Sequence, residues 1–339
     1  MQMREAIDAV MRGQSLSYEQ THSVMHAIMT GEATDAQIGG FLVGLSVKGE
    51  TAEEISAAAQ VMRELMIPVT VHGENVVDIV GTGGDGANLF NISTASSFVV
   101  AAAGAHVAKH GNRGVSSSSG SADLFSVAGI NLDLAADQVA RCIDQVGVGF
   151  MFAPHHHTAM RYAVGPRREM GVRTLFNILG PLTNPASAPN QLLGVYSAKL
   201  LPLMAEVLRR LGSEHVLVVH AEDGLDEISL AAPTHVAELK DGEITQYTIA
   251  PEDFGIERQS LSALKVSTAE ESLALVKQSL VGEGPAADIV ALNAGAALYA
   301  SGVADTLKEG VLMAQDSQAS KLPAEKLKEL ADFTRVFAV

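Results

Sequence analysis

Residues that could do chemistry fall in a few short runs. The first is Gly81-Thr82-Gly83-Gly84-Asp85-Gly86, placed between the apolar run Val76–Val80 and a helical stretch that begins near Ser93. A strand, a glycine-rich loop and a helix start together offer backbone N–H groups and a positive dipole end to an anion. The run is neither of the two common glycine-rich nucleotide loops, G-x-x-x-x-G-K or G-x-G-x-x-G. A tight turn alone accounts for one or two of its glycines. Four in six residues around an aspartate point instead to phosphate or sugar contact. The second run is Lys109-His110-Gly111-Asn112-Arg113, followed by the hydroxyls of Ser116 to Ser119 and Ser121, with Thr94 back in the first loop. Clustered cations repel one another unless they share an anion, and hydroxyls with small-residue N–H groups suit phosphate oxygens. A solvated surface turn is the plain alternative.

Further along, Asp226-Glu227 lies in the turn His220-Ala221-Glu222-Asp223-Gly224-Leu225 and beyond. Adjacent hard carboxylates suit Mg²⁺, which takes one or two of them together with substrate phosphates. In an acidic chain such a pair is ordinarily surface decoration, and its place at a strand's carboxyl end argues otherwise. Arg167, Arg168 and Arg173 stand in an otherwise apolar stretch. One guanidinium could fork onto a substrate carboxylate, while at least one of the three is expected only to make an interdomain ion pair. His155 to His157 cannot all face one ion, being consecutive, and read as a helix N-terminal cap region. The single cysteine, Cys142, sits on an amphipathic helix and reads as a small buried apolar side chain rather than a nucleophile.

The chain must hold these runs on defined elements. It has 339 residues and 47% hydrophobic content, enough for one large and one smaller domain with substantial cores. One cysteine excludes an internal disulfide framework. No long apolar run or N-terminal signal is present, so a cytoplasmic protein is expected. A formal net charge of −16 argues against general binding to nucleic acid or anionic membrane.

Residues 1–70 read as a small helical domain. Ser17-Tyr18-Glu19-Gln20, Thr34-Asp35-Ala36-Gln37 and Thr51-Ala52-Glu53-Glu54 are capping boxes, with Gly31 and Gly49 as stops and Pro68 after the fourth helix. The apolar 38–47 segment, with Gly39 and Gly40, predicts close helix packing and a dimer contact. From Asn75 strands alternate with helices: strands at 76–80, 105–109, 147–152, 191–196 and 215–220, helices at 93–103, 121–128, 134–145 and 199–211. This predicts an α/β domain over 71–339, with a mostly parallel central sheet flanked by helices. Asp241-Gly242 predicts a hairpin between 236–240 and 243–249. Helices are expected from Thr268 to about Val281, over 288–300 (buried) and over 324–334 (amphipathic). The His-, Arg- and Pro-rich part of 157–185 is expected to return to the small domain. Ligands of such sheets sit at the strands' carboxyl ends, where both loops of the opening runs lie.

These motifs, in this order, resemble those of the anthranilate phosphoribosyltransferase family over nearly the full length. The parts that match are Gly81-Thr82-Gly83-Gly84-Asp85, Asn91-Ile92-Ser93-Thr94, Lys109 to Arg113 with Ser116 and Ser117, Arg167 before Met170-Gly171, Asn177 to Asn184, and Asp226-Glu227. The resemblance implies transfer of the 5-phosphoribosyl group from phosphoribosyl pyrophosphate to the amino group of anthranilate, giving N-(5-phosphoribosyl)anthranilate and pyrophosphate in tryptophan biosynthesis. It implies the fold shared with pyrimidine nucleoside phosphorylases and a homodimer through the helical domain. It assigns the donor to Gly81, Gly84, Asp85, Asn91, Ser93, Thr94, Lys109, Ser116, Ser117 and Ser121. It assigns Mg²⁺ to Ser93, Asp226 and Glu227, and anthranilate to Gly81, His110, Asn112, Arg167 and Pro181, with Arg167 on the carboxylate. Lys109, Asp226 and Glu227 would carry catalysis. Leu89 departs from the hydroxyl residue the family often has there. The chemistry agrees: a heavily charged donor needs cations, pyrophosphate leaves only when neutralised, and an unprotonated aromatic amine needs no strong base, so positioning suffices. A nucleoside phosphorylase and a nucleic-acid-binding relative are the two competing readings, disfavoured by Arg167 with Asp226-Glu227 and by the acidic balance respectively.

Overall fold

The structure, a computed structural model, describes residues 1–114 and 119–337. Four helices come first: α1 (Met3–Met11), α2 (Tyr18–Met29), α3 (Asp35–Lys48) and α4 (Ala52–Leu65). The capping boxes at Ser17, Thr34 and Thr51 form as the sequence predicts. Glu54, the last residue of the third box, is also fully buried, where it meets Lys48 at 2.8 Å and accepts from the Leu16 N–H at 2.9 Å. One carboxylate thus caps α4 and ties three parts of the helical unit together.

The α/β part follows with β1 (Val76–Gly81), α5 (Ile92–Ala102), β2 (His106–Gly111), α6 (Ser121–Val127), α7 (Ala136–Val146) and β3 (Val148–Phe152). Short helical pieces α8 (Ala153–His156), α9 (Arg161–Met170) and α10 (Phe176–Leu179) precede β4 (Asn190–Gly194), α11 (Leu200–Arg210) and β5 (His215–Ala221). Next come the hairpin β6 (Thr234–Lys240) and β7 (Glu243–Ile249), then α12 (Ala269–Ser279), α13 (Gly284–Ala300), α14 (Leu307–Ser320) and α15 (Leu322–Arg335). The hairpin turn has Asp241 at φ 53° and Gly242 at φ 79°, the left-handed pair that a two-residue turn between twisted strands requires. Two helices differ from expectation. α13 begins earlier, at Gly284, and α14 has no counterpart in the sequence reading.

The sheet has seven strands in the order β3-β2-β1-β4-β5-β6-β7; the first five are parallel and the hairpin adds antiparallel partners. The winding direction reverses between β1 and β4, which opens a crevice at their carboxyl ends. Strand alternation divides the core. Leu217 and Val219 of β5 join the core that includes α5 and α13, whereas Val216 and Val218 join the one that includes α4 and α11. Ala163 of α9 and Phe176, Ile178 and Leu179 of α10 belong to this second core, which runs into the helical unit. Cys142 is in the first core, and burial pushes its thiol up to about 12.

Candidate active site

β1 and β4 end opposite each other at Gly81 and Gly194. The turn after β5 crosses over both ends. A Cβ at Gly194 would stand 1.5 Å from the Asp226 carbonyl oxygen, and one at Gly81 would stand 2.7 Å from Asp226 Oδ2. Both positions are glycine because backbone and carboxylate of a distant turn occupy the space. This brings Asp226-Glu227 to the glycine-rich loop. The Gly83 N–H donates to Asp226 Oδ2 at 2.8 Å, and the Ser93 N–H, in the first turn of α5, donates to Glu227 Oε1 at 3.1 Å.

Asp226, Glu227 and Asp85 form a half-buried anionic well. Burial and then the Asp85 charge push the Asp226 carboxyl up to about 7. Burial, then Asp226 and Asp85, push Glu227 well above the carboxylate range, with Lys109 opposing. Such a well favours a cation. Among the described residues no three His, Cys, Asp or Glu side chains converge as a metal cage. A few fixed carboxylates with room for substrate oxygens and water fit Mg²⁺ better than any all-protein site.

Lys109 is 1% exposed. Its ammonium donates to the Ile79 carbonyl at 2.6 Å and to Ser93 Oγ at 3.3 Å, and burial pulls its pKa down to about 8 against the raising effect of Asp78 and Glu227. The next residue points the other way. The His110 ring lies 5.1 Å from the ring of His157, toward α8 and the segment that carries Gly180 and Pro181. Burial, then His157, holds His110 well below the usual imidazole range, and burial pulls His157 down to about 4. Neither Nε2 has a hydrogen-bond partner among the described residues. Arg113 turns outward to Asp123 at 3.1 Å. The expected cationic wall of Lys109, His110 and Arg113 is therefore corrected. Period-2 alternation separates the first two, one imidazole is neutral, and the guanidinium is paired.

The remaining predicted residues are distributed as follows. Thr94 Oγ1 donates to Ser121 Oγ at 3.1 Å, joining the two loops. Asn91 Oδ1 accepts from Ser119 at 3.1 Å and Ser272 at 2.7 Å, so α12 steadies the start of α5. Asn112 Oδ1 accepts from the Arg113 N–H at 2.8 Å. The Pro181 carbonyl accepts from Gln191 Nε2 at 2.7 Å. Leu89 forms an isolated bridge with Lys265. Ser116 and Ser117 lie outside the described residues. Arg167 is half-buried, 5.2 Å above the Phe176 ring, and burial lowers its pKa. The ion pair expected among Arg167, Arg168 and Arg173 does not occur among the described residues. Arg173 instead donates to the Gly84 carbonyl and stacks 4.1 Å from the Tyr196 ring. The three histidines sit at short helix ends, His157 at the N-cap of the 3-10 turn Thr158–Met160, and their side chains diverge: His155 faces Asp133 at 3.5 Å, His156 Nδ1 pairs with the Ile67 carbonyl at 2.9 Å, and His157 meets His110.

One residue was not singled out from the sequence. Asp78 is fully buried in β1. Its Oδ2 accepts from Asn184 Nδ2 at 2.7 Å and its Oδ1 from the His110 N–H at 3.2 Å; burial, the largest influence, pushes it up to about 6. The available signal was a charge interrupting the apolar run V-V-D-I-V.

Comparison with known proteins agrees with this geometry. A family model described as the glycosyl transferase family a/b domain matches residues 73–320, and one described as the helical bundle domain of that family matches residues 4–66. An anthranilate phosphoribosyltransferase of Chromohalobacter salexigens is 80% identical, over 100% of this chain and 98% of its own. The crystal structure of anthranilate phosphoribosyltransferase from Thermus thermophilus superposes with a TM-score of 0.92 at 46% identity, covering 97% of this chain and 99% of that one. The Saccharomyces cerevisiae protein in complex with PRPP and Mg gives 0.89 at 27% identity, covering 98% of each chain.

Proposed function

The chain belongs to the anthranilate phosphoribosyltransferase family and transfers the phosphoribosyl group of phosphoribosyl pyrophosphate to the amino group of anthranilate in tryptophan biosynthesis; from that premise we propose which of its residues divide the work. One observation carries the division. Lys109 and His110, adjacent on β2, point to opposite faces of the strand, one toward α5 and the anionic well, the other toward α8–α10.

On the first face Gly81, Gly84, Asp85, Asn91, Ser93, Thr94, Lys109 and Ser121, with Ser116 and Ser117, hold the donor. Ser93, Asp226 and Glu227 hold Mg²⁺, which when bound neutralises pyrophosphate as it leaves. Lys109 is already charged and desolvated, so it stabilises the same departing charge without reorganising. On the second face Gly81, His110, Asn112 and Pro181 line the acceptor channel, and Arg167, free of ion pairs among the described residues, takes the anthranilate carboxylate. Unpaired Nε2 atoms on neutral His110 and His157 support an aromatic amine there, since neither imidazole carries a charge that would protonate or repel it. Bringing the amine to the anomeric carbon is then a matter of position, and the departing bond leaves oxocarbenium-like charge on the ribose.

The helical unit supports a homodimer. Met11, Val43 and Val47, on α1 and α3, are exposed apolar residues, and Val47 is 84% exposed. No helix among the described residues is long and apolar enough to cross a membrane, and phosphorylated, water-borne substrates support a cytoplasmic site of action.

The test is loss of anthranilate fluorescence. It should require both the donor and Mg²⁺, and quenching without Mg²⁺, or none with it, would refute the division. Arg167→Ala should raise the anthranilate KM at least about tenfold and the donor KM less than about twofold; equal effects on both would remove Arg167 from the acceptor side.

A further inference from the structure

The ladder between β1 and β2 is short. β1 pairs with β2 only at Val76–His106 and Val77–Val107, although β1 continues along β4 to Gly81 and β2 continues along β3 to Gly111. Two central parallel strands thus give up their shared backbone ladder as they run toward the carboxyl edge of the sheet. Buried backbone groups left by such a parting need new partners. Side chains supply them. The Ile79 carbonyl takes Lys109 Nζ at 2.6 Å, the His110 N–H takes Asp78 Oδ1 at 3.2 Å, and the Ala108 carbonyl takes Asn184 Nδ2 at 2.8 Å. The same Asn184 amide bonds Asp78 Oδ2 at 2.7 Å, and its oxygen accepts from the Ala186 N–H at 2.8 Å. Beside Asp78 in register on β4, Gln191 holds the Pro181 carbonyl.

We propose that Asp78, acting with Asn184, is a positioning residue for the transfer: the pair wedges β2 away from β1 and sets where Lys109 and His110 stand relative to each other and to the Pro181 segment. This rests on the assignment of Lys109 to the donor side and His110 to the acceptor side. Asp78 itself lies beneath both and touches neither substrate pocket. Its carboxylate bonds β2 through the His110 N–H and the segment after Pro181 through Asn184 at once. Any substitution that breaks the pair lets the strand end relax toward β1, and the two half-sites lose their common frame. Binding of each substrate alone depends little on that frame. The transition state, which spans both, depends on it strongly.

Asp78→Asn keeps the shape and the acceptor for the His110 N–H, but sets one amide N–H₂ against that of Asn184. The expected result is a fall in kcat of at least about tenfold, with each KM changed less than about threefold. Circular dichroism and the melting temperature count the folded fraction, so that kcat is expressed per folded site. If Asp78→Asn does not fold, Asn184→Ser carries the same test with the same expected split. In the folded case the double variant should be no slower than the slower single, because the two residues act as one unit. A kcat per folded site within about twofold of the parent overturns the proposal, as does a loss confined to one KM. A parent protein that fails to turn over anthranilate at all would instead refute the underlying site assignment.

Discussion

The two neighbours Lys109 and His110 differ in what their surroundings ask of them. Lys109 keeps a charge in a buried place because Asp78 and Glu227 favour it. His110 and His157 give theirs up, since burial dominates and a nearby imidazole, His157 for His110 and His156 for His157, disfavours charge further. This carries a pH signature. The His157 ring is neutral in the fold, with its pKa pulled from 6.5 to about 4, while the unfolded chain takes up a proton below 6.5. The unfolded state therefore binds more protons in that window, and stability rises with pH across it. The contribution is complete above the unfolded value and is lost on acidification, by about 2 kcal/mol at about pH 5. His157→Gln should flatten the decline in melting temperature between neutral and about pH 5 relative to the parent; parallel curves would show that His157 does not titrate as described. At this scale the sequence was partly legible. Lys109, Asp226 and Arg167 stood out because charge in an apolar or glycine-rich setting is conspicuous. Asp78 did not, because its meaning comes from neighbours more than thirty positions away in the chain, and the pairing of His157 with His110 was hidden for the same reason.

The elements were read more easily than their mutual placement. Short apolar runs between glycines gave the five parallel strands, and Asp241-Gly242 gave the hairpin. α14 escaped because its sequence, L-K-E-G-V-L-M-A-Q-D-S-Q-A-S, scatters apolar and polar residues with little sidedness. The early parting of β1 from β2 left only one trace in the strands' composition, the charge of Asp78 within an apolar run. The crossing of the Asp226 turn over Gly194, which is an ordinary strand-end glycine until the fold is known, left none. That crossing gives a sharp expectation. Gly194→Ala places a methyl on the Asp226 carbonyl, so the turn must lift. The change should cost about 2 kcal/mol of stability and raise the Mg²⁺ concentration needed for half-maximal activity. Thermal melting and a Mg²⁺ titration of the fluorescence assay report the two effects, and an unmoved Mg²⁺ requirement would detach the turn from the metal.

For the whole molecule, a net charge of −16 surrounds a site that must receive a heavily anionic donor. Local arrangement outweighs the global field in the proposed division: backbone N–H groups, Lys109 and a divalent cation would meet the phosphates, and the acidic balance argues against nucleic acid without arguing against a nucleotide-like ligand. The helical unit shares the core that includes α4, α11 and α10, so a contact between subunits would press on the segment leading to Pro181. If the exposed face of α1 and α3 is that contact, Val47→Asp should convert a dimer to a monomer on light-scattering chromatography, and an unchanged mass would move the interface elsewhere. The alternation along β2 has one more consequence. His157, Arg167 and Pro181, on the proposed acceptor side, come from one continuous insert between β3 and β4, while the residues proposed to hold the phosphates come from other loops. The molecule is in this sense built of interchangeable parts. Variation or grafting within 153–185 that keeps Arg173 and Asn184, which bond the Gly84 carbonyl and Asp78, would retune the incoming nucleophile, while the machinery that releases pyrophosphate stays as inherited.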